Sequence, residues 1–384
     1  MQLSKFLTLV ALVAGRVEAH PGHDLTEEFM ERRSFVNSVS QVSLSHCADK
    51  LRARGVEDRN VARRAAALEA ARARRGLLER DLDSLDKSHD MSDLGYTEDT
   101  SASTLFSSNG SCVLTPEVTQ GPYYVGGEYV RKDVTDGQAG LDITLDYQVI
   151  DVDTCEPVPE VYLEMWHCNA TGVYSGVVSS GNGDTSDTSN LDKTFLRGIQ
   201  PTDEDGVAQF QSIFPGHYVG RATHIHIMSS HVGQAFFDQD LIEAVDSLEP
   251  YTSNTGELTT NEEDSILSEE AVDVDPFFYY TYLGNSLSDG LFAWVAFGIN
   301  TSSISHVTPA SFLYESGGVA NSDSGMGGGP GGPGGPGDAP SGAPPNGINA
   351  TMIIPSTSSS GLLTPTPTPT PNSAGSVKLL GVLF

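Results

Sequence analysis

The 384-residue chain carries 51 acidic against 21 basic side chains, a formal charge of −30, and 38% of it is hydrophobic, which suffices for one sizeable core and hardly for two. Residues 1–88 hold 15 Lys and Arg against 13 Asp and Glu, whereas residues 89–384 hold 6 against 38, a charge of −32. So acidic a surface repels phosphate backbones and anionic lipid, and no apolar run of about 18 residues occurs, which argues against nucleic acid and membrane as partners.

The N-terminus has the pattern of a secretory signal: Lys5 gives the positive charge, Phe6 to Ala14 the apolar stretch, and Val17, Glu18 and Ala19 the cleavage site. Residues 1–19 are therefore expected to be removed and the protein to be secreted, hence extracellular. Sequons at Asn109, Asn169, Asn300 and Asn349 agree with export as glycosylation sites. In that compartment Cys47, Cys112, Cys155 and Cys168 become disulfide candidates. A direct Cys155–Cys168 bond looks strained, since one lies at the turn of an expected hairpin and the other at a far strand end. That leaves Cys112 with Cys168 and Cys47 with Cys155, or the swapped set.

Residues 20–103 form an N-terminal segment. From Ser43 to about Leu85 it is rich in Ala, Leu and Arg, with Val61, Ala65, Leu68, Ala71, Leu78 and Leu82 at near-helical spacing, and the pattern predicts two helices broken near Gly55. Arg63, Arg64, Arg72, Arg74, Arg75 and Arg80 make the second helix basic. Its face is either solvated or docked, on the acidic body or on a second subunit, which would make a homodimer through these helices.

Residues 104–316 show short runs rich in Val, Ile, Tyr, Phe and Thr between Gly, Pro, Asp and Asn clusters. Strands are expected at 141–152, which alternates apolar and polar residues, at 161–168 beyond a turn at CEPVPE, at 207–214 and at 224–228. The fold class is all-β, a two-sheet sandwich of one domain behind the helical segment. Residues 317–384, with their Gly/Pro and Thr-Pro repeats, form a disordered tail open to O-glycosylation. The closing VKLLGVLF is too short for a lipid-anchor tail and contains Lys378.

The chemistry concentrates in one place. In RATHIHIM, His224 and His226 are two apart in a strand, so both imidazoles share a face and can hold one metal. Tyr218 in FPGHY lies just upstream, and Tyr174 closes GVY. A deprotonated phenol is a hard, strongly donating oxygen suited to Fe³⁺ and ill suited to Zn²⁺ or Cu⁺, so two tyrosinates with two imidazoles point to non-haem ferric iron. Arg221 stands three residues before His224 and is one of three arginines in the acidic body, with Arg131 and Arg197; it is either half of a salt bridge or a fixed cation for charge developing on a substrate. Trp166, Phe214 and Tyr162 are expected as core aromatics, and Tyr123 and Tyr124 as core or pocket wall.

These residues resemble the intradiol ring-cleavage dioxygenases, and within them a secreted fungal branch. LTPEVTQGPYY (114–124) resembles the segment entering that family's pocket, LEMWHCNATGVYS (163–175) the strand and loop of its first iron tyrosine, and residues 195–226 the block with the second tyrosine and both histidines. The resemblance spans about residues 105–310. It implies Tyr174 and His224 as equatorial and Tyr218 and His226 as axial ligands of Fe³⁺. It implies Arg221 and Tyr218 as catalytic, with Tyr218 leaving when substrate binds, and Tyr123, Tyr124 and Gln234 as pocket residues. The implied partners are a small aromatic diol and O₂, and the implied reaction cleaves a catechol between its two hydroxylated carbons to a muconic acid. Two other readings are a metallohydrolase using the histidines, which leaves both tyrosines unexplained, and a non-catalytic β-sandwich binding module, whose mark would be a lost ligand.

Overall fold

The computed structural model describes residues 44–77, 111–113, 121–230, 232–271, 274–301, 307–322 and 324. The expected signal peptide, Arg80, residues 114–120 of the pocket-entering segment, Asn109, Asn349 and the tail beyond 324 lie outside the described residues. Among those described, no helix is long and apolar enough to cross a membrane.

Helices α1 (Ala48–Ala53) and α2 (Val56–Arg74) are separated at Gly55, whose φ of +66° stops the first and opens the second. The strands of the described residues follow: β1 (Ser111–Val113), β2 (Val125–Gly126), β3 (Asp142–Asp151), β4 (Tyr162–Trp166), β5 (Arg197–Pro201), β6 (Val207–Ile213), β7 (His224–Met228), β8 (Val232–Phe236), β9 (Tyr279–Tyr282), β10 (Leu291–Ile299), β11 (Ser311–Tyr314) and β12 (Gly317–Ala320). Between β8 and β9 lie helices α3 (Gln239–Asp246) and α4 (Ser265–Glu270). One sheet runs β1-β10-β3-β6 with β9 also on β10, a second runs β5-β4-β7-β8, and a small third runs β12-β11-β2.

The two larger sheets make the expected sandwich. Inward-facing Leu145, Tyr147 and Val149 of β3, Phe210 of β6, Leu163 and Met165 of β4, and Ile225 and Ile227 of β7 share one core cluster. Because strands alternate, that burial turns Glu164 and Trp166 of β4 and His224 and His226 of β7 to the outer face of the second sheet.

The expected β3–β4 hairpin does not form. Strand β3 pairs with β10 and β6, β4 with β5 and β7, so the CEPVPE turn carries the chain from one sheet to the other. Tyr162, expected in the core, is 40% exposed at the start of β4, whereas Trp166 and Phe214 are buried. Gly317–Ala320, assigned by composition to the tail, pairs with β11.

The basic helix docks on the body of its own chain. The polar positions of β3, Thr144, Asp146 and Gln148, are as buried as its apolar ones because α2 covers them. Asn60 exchanges amide hydrogen bonds with Gln148 (2.6 and 2.9 Å), and Arg63 and Arg64 both pair with Asp146. Arg64 is 2% exposed and sits over the Trp294 ring, and Arg59 pairs with Asp205 and Arg54 with Glu156 nearer the rim. The face that could have held a second subunit is occupied within the chain. A Cys47–Cys155 disulfide ties the same hairpin down. Cys168 is a buried free thiol that donates to the Gly216 carbonyl, which corrects the pairing expected between it and another cysteine; the side chain of Cys112 lies outside the described residues.

Candidate metal centre

The outer face of β7 presents its histidines beside register partners that fix their setting. Trp166 of β4 and Gln234 of β8 both stand opposite His226. The Trp166 indole stacks flat on the His226 ring at 4.8 Å and 2°, so this core aromatic also holds a candidate ligand in its rotamer. His224 Nδ1 donates to the Ala222 carbonyl (2.6 Å), which places the ring proton there and leaves Nε2 as the lone-pair donor. His224 Nε2 lies 3.1 Å from His226 Nε2 and 3.4 Å from the Tyr218 hydroxyl.

Tyr174 completes the group from the loop after β4. Its ring centroid is 5.6 Å from that of Tyr218 and 6.1 Å from that of His226. Two buried asparagines clamp its backbone: Asn182 Oδ1 accepts from Tyr174 N (2.7 Å), and the amide nitrogens of Asn182 and Asn190 each donate to the carbonyls of Tyr174 and Val177. Asn169, an expected glycan acceptor, uses Oδ1 to take hydrogen bonds from Thr171 and Val173 in the same loop, while its Nδ2 donates to Gln138. Gly172 permits the two tyrosine loops to meet, since a Cβ there would stand 2.3 Å from the His217 carbonyl oxygen. Gly121 likewise lets the segment before Tyr123 close over His226, whose ring would be 2.9 Å from an added Cβ.

The four residues suit a hard cation. Imidazole nitrogens 3.1 Å apart have the separation of two ligands bound about 2.1 Å from one ion at near a right angle. The Tyr174 hydroxyl is fully buried without a hydrogen bond of ordinary geometry, a costly state that a metal would relieve. Burial pushes this phenol well above its usual range, with Tyr218 and Cys168 adding to the rise and Arg221 opposing it, so its proton leaves only for a strong Lewis acid. Tyr218 is half-buried, so of the two phenols it has the access to water that ligand exchange requires.

Arg221 is fully buried in an ion pair with Asp264 at 3.0 Å, and its Nη2 donates to Gln234 Oε1. Asp264 also accepts from the amides of Ala222, Ile266 and Leu267, capping α4 and joining it to the histidine strand. The expected pocket residues separate. Tyr123 packs its ring on Tyr174 (4.8 Å) and edge-on to Tyr218 (6.1 Å), and burial pushes its phenol up to about 12. Tyr124 packs against Trp166 (5.1 Å) with its hydroxyl on Glu164. Beneath Tyr174, Arg197 lies over the ring at 5.9 Å and 3.6 Å from Glu128, whose carboxyl burial raises to about 7 despite Arg197.

Sequence reasoning missed Asn182, Asn190 and Asp264. The two asparagines lie in a polar loop without periodicity, and only Asp264, preceding an Ile-Leu pair, carried a readable signal, that of a helix cap.

Residues 119–234 match a protein-family model described as Dioxygenase. A catechol 1,2-dioxygenase of Acinetobacter baylyi is 29% identical over 109 residues, covering 27% of this chain and 32% of that protein, so the match spans about a third of the curated relative. Among solved structures, an intradiol ring-cleavage dioxygenase from Tetranychus urticae is 30% identical, with 50% of this chain and 98% of that one covered and a TM-score of 0.44. A hydroxyquinol 1,2-dioxygenase from Pseudomonas putida DLL-E4 is 18% identical over 50% of this chain and 66% of that one, with a TM-score of 0.32.

Proposed function

The chain belongs to the intradiol ring-cleavage dioxygenase family, and from that premise we propose that it is a secreted non-haem Fe(III) enzyme cleaving a catechol-type ring with O₂, between the two hydroxylated carbons, to a muconic-acid product. One observation carries the reading: His224 Nε2 has His226 Nε2 at 3.1 Å and the Tyr218 hydroxyl at 3.4 Å, beside the buried phenol of Tyr174.

Bound Fe³⁺ would supply the Lewis acidity and covalency that make a chelated catecholate reactive toward dioxygen. The chain does the rest. Tyr174 stays in place because Asn182 and Asn190 hold its backbone. Tyr218, half-buried on the turn 215–221, is the phenol that swings away and takes a catechol proton as it leaves. Arg221, held by Asp264 and Gln234, places a fixed cation near enough to act on the Tyr174 phenol, where it can stabilise negative charge on a bound ring. Tyr123 and Trp166 keep the inner wall aromatic and dry. Export belongs to the same proposal, supported by the signal-like N-terminus and the sequons.

The test is optical and analytical. The iron-loaded protein should show a visible tyrosinate-to-Fe³⁺ band and consume O₂ with catechol. His226→Ala should lose the band and most of the iron, and a variant keeping both would overturn the assignment.

A further inference from the structure

On the reading of the site as a catechol-cleaving centre, we propose that its mouth selects substrates by charge, favouring catechols whose ring substituent is cationic and disfavouring those bearing a carboxylate. Two loops border the site. The loop 176–192 reaches it where Gly181 approaches the Tyr123 hydroxyl, and it carries Asp184, Asp187 and Asp192 with no Lys or Arg. On the other side the strap 254–260 packs under the turn that carries Tyr218. Asn254 donates to the His217 carbonyl, His217 meets the Gly256 carbonyl, and Gly220 N donates to Thr259. A methyl group on Gly256 would stand 3.7 Å from Val219, the half-exposed neighbour of Tyr218, and Glu257 follows at once. Residues 237–264 hold nine Asp and Glu and no Lys or Arg, and neither Lys nor Arg occurs between Arg221 and Lys378.

The cations that could receive an anionic substituent are committed elsewhere. Arg131 is paired with Asp136, Arg197 with Glu128 and Arg221 with Asp264, so each arginine of the body meets a carboxylate of its own. Lys132 bonds Gln209 on the first sheet, and Lys193 is exposed where the loop runs out toward β5. The basic helix lies on the far face of the sandwich: Arg59, Arg63 and Arg64 are bound to Asp205 and Asp146, Arg72 and Arg74 to the Leu283 carbonyl and Thr144, and Arg75 at the helix end to Asp142. Among the described residues every arginine of the body is thus already committed, so a carboxylate on the ring would approach through a negative field, while an ammonium group would be drawn in.

Catechols of matched size carrying aminoethyl, ethyl or carboxymethyl at ring position 4 test this. At low ionic strength kcat/KM should fall in that order, with at least about a tenfold span between cation and anion. The span should shrink in 0.5 M salt, where the screening length is about 4 Å. Glu257→Lys with Glu262→Lys, both exposed and outside the proposed machinery, should narrow it further. A carboxylate substrate equal to or better than the neutral one, or a span unmoved by both salt and charge reversal, overturns the proposal. Calorimetric titration of the same three compounds into iron-loaded protein ranks them independently of turnover. Absent turnover with the expected affinity order would count against the catalytic reading alone, and a reversed affinity order against the charge selection.

Discussion

Tyr174 and Tyr218 are the same residue type in different settings, and under the proposed function that difference would divide their labour. Tyr174 is fully buried on a clamped backbone, while Tyr218 is half-buried on a turn. Tyr218→Phe should therefore still bind iron, with a shifted visible band and turnover lowered by about 10²-fold or more, as expected when a positioned proton acceptor is lost. Substrate complexes of the wild type that kept two tyrosinates, seen by resonance Raman, would contradict it. Arg221 also bears on stability. An exposed arginine on so acidic a body would be worth about 0–1 kcal/mol, but this one is buried against an equally buried Asp264. Arg221→Leu leaves that carboxylate without its cation and should cost about 3–5 kcal/mol of stability, read by thermal melting, in addition to its loss of turnover. Arg221→Lys keeps the charge without the planar fork that reaches both Asp264 and Gln234, so it should restore part of the melting temperature and little of the turnover.

At the scale of elements, α2 and β3 explain each other. The alternation in LDITLDYQVIDV predicted a strand with one wet face, and the strand is there, yet its polar face is dry because α2 brings arginines and an asparagine to it. Burial works to raise the Asp146 carboxyl, but Arg63 and Arg64 outweigh it and hold the group below the usual carboxylate range. A depressed folded-state pKa contributes stability above the unfolded value of about 3.9 and loses it as pH falls through the folded one. The α2 contact should thus be intact at neutral pH and weaken below about pH 4. Amide protection over 56–74, measured relative to the intrinsic exchange rate at each pH, should fall in that window and not between pH 5 and 8, and Asp146→Asn should abolish the pH step.

For the molecule as a whole, the Cys47–Cys155 bond closes a separation of 108 residues and fastens the helical hairpin to the end of β3. Replacing both cysteines by serine should lower stability by about 2–5 kcal/mol while leaving iron content and the visible band unchanged, because the hairpin and the candidate centre lie on opposite sheets. Cys168 should label with a thiol reagent once the oxidised chain is denatured. The sequence by itself determined the strands that carry chemistry, the break at Gly55 and the four candidate ligands, since residue type and a period of two are local properties that need no partner to be read. Strand β10, the middle of the first sheet, was not singled out, because a run buried on both faces has no alternation to show. Only the tertiary structure decided that β3 and β4 belong to different sheets, that Tyr123 faces the centre while Tyr124 turns to Glu164, that Cys168 stays free, and that Arg221 meets Asp264. Each of these depends on which distant segments share a burial site, and the free energy that selects among them resides in contacts across the sandwich that no local pattern encodes.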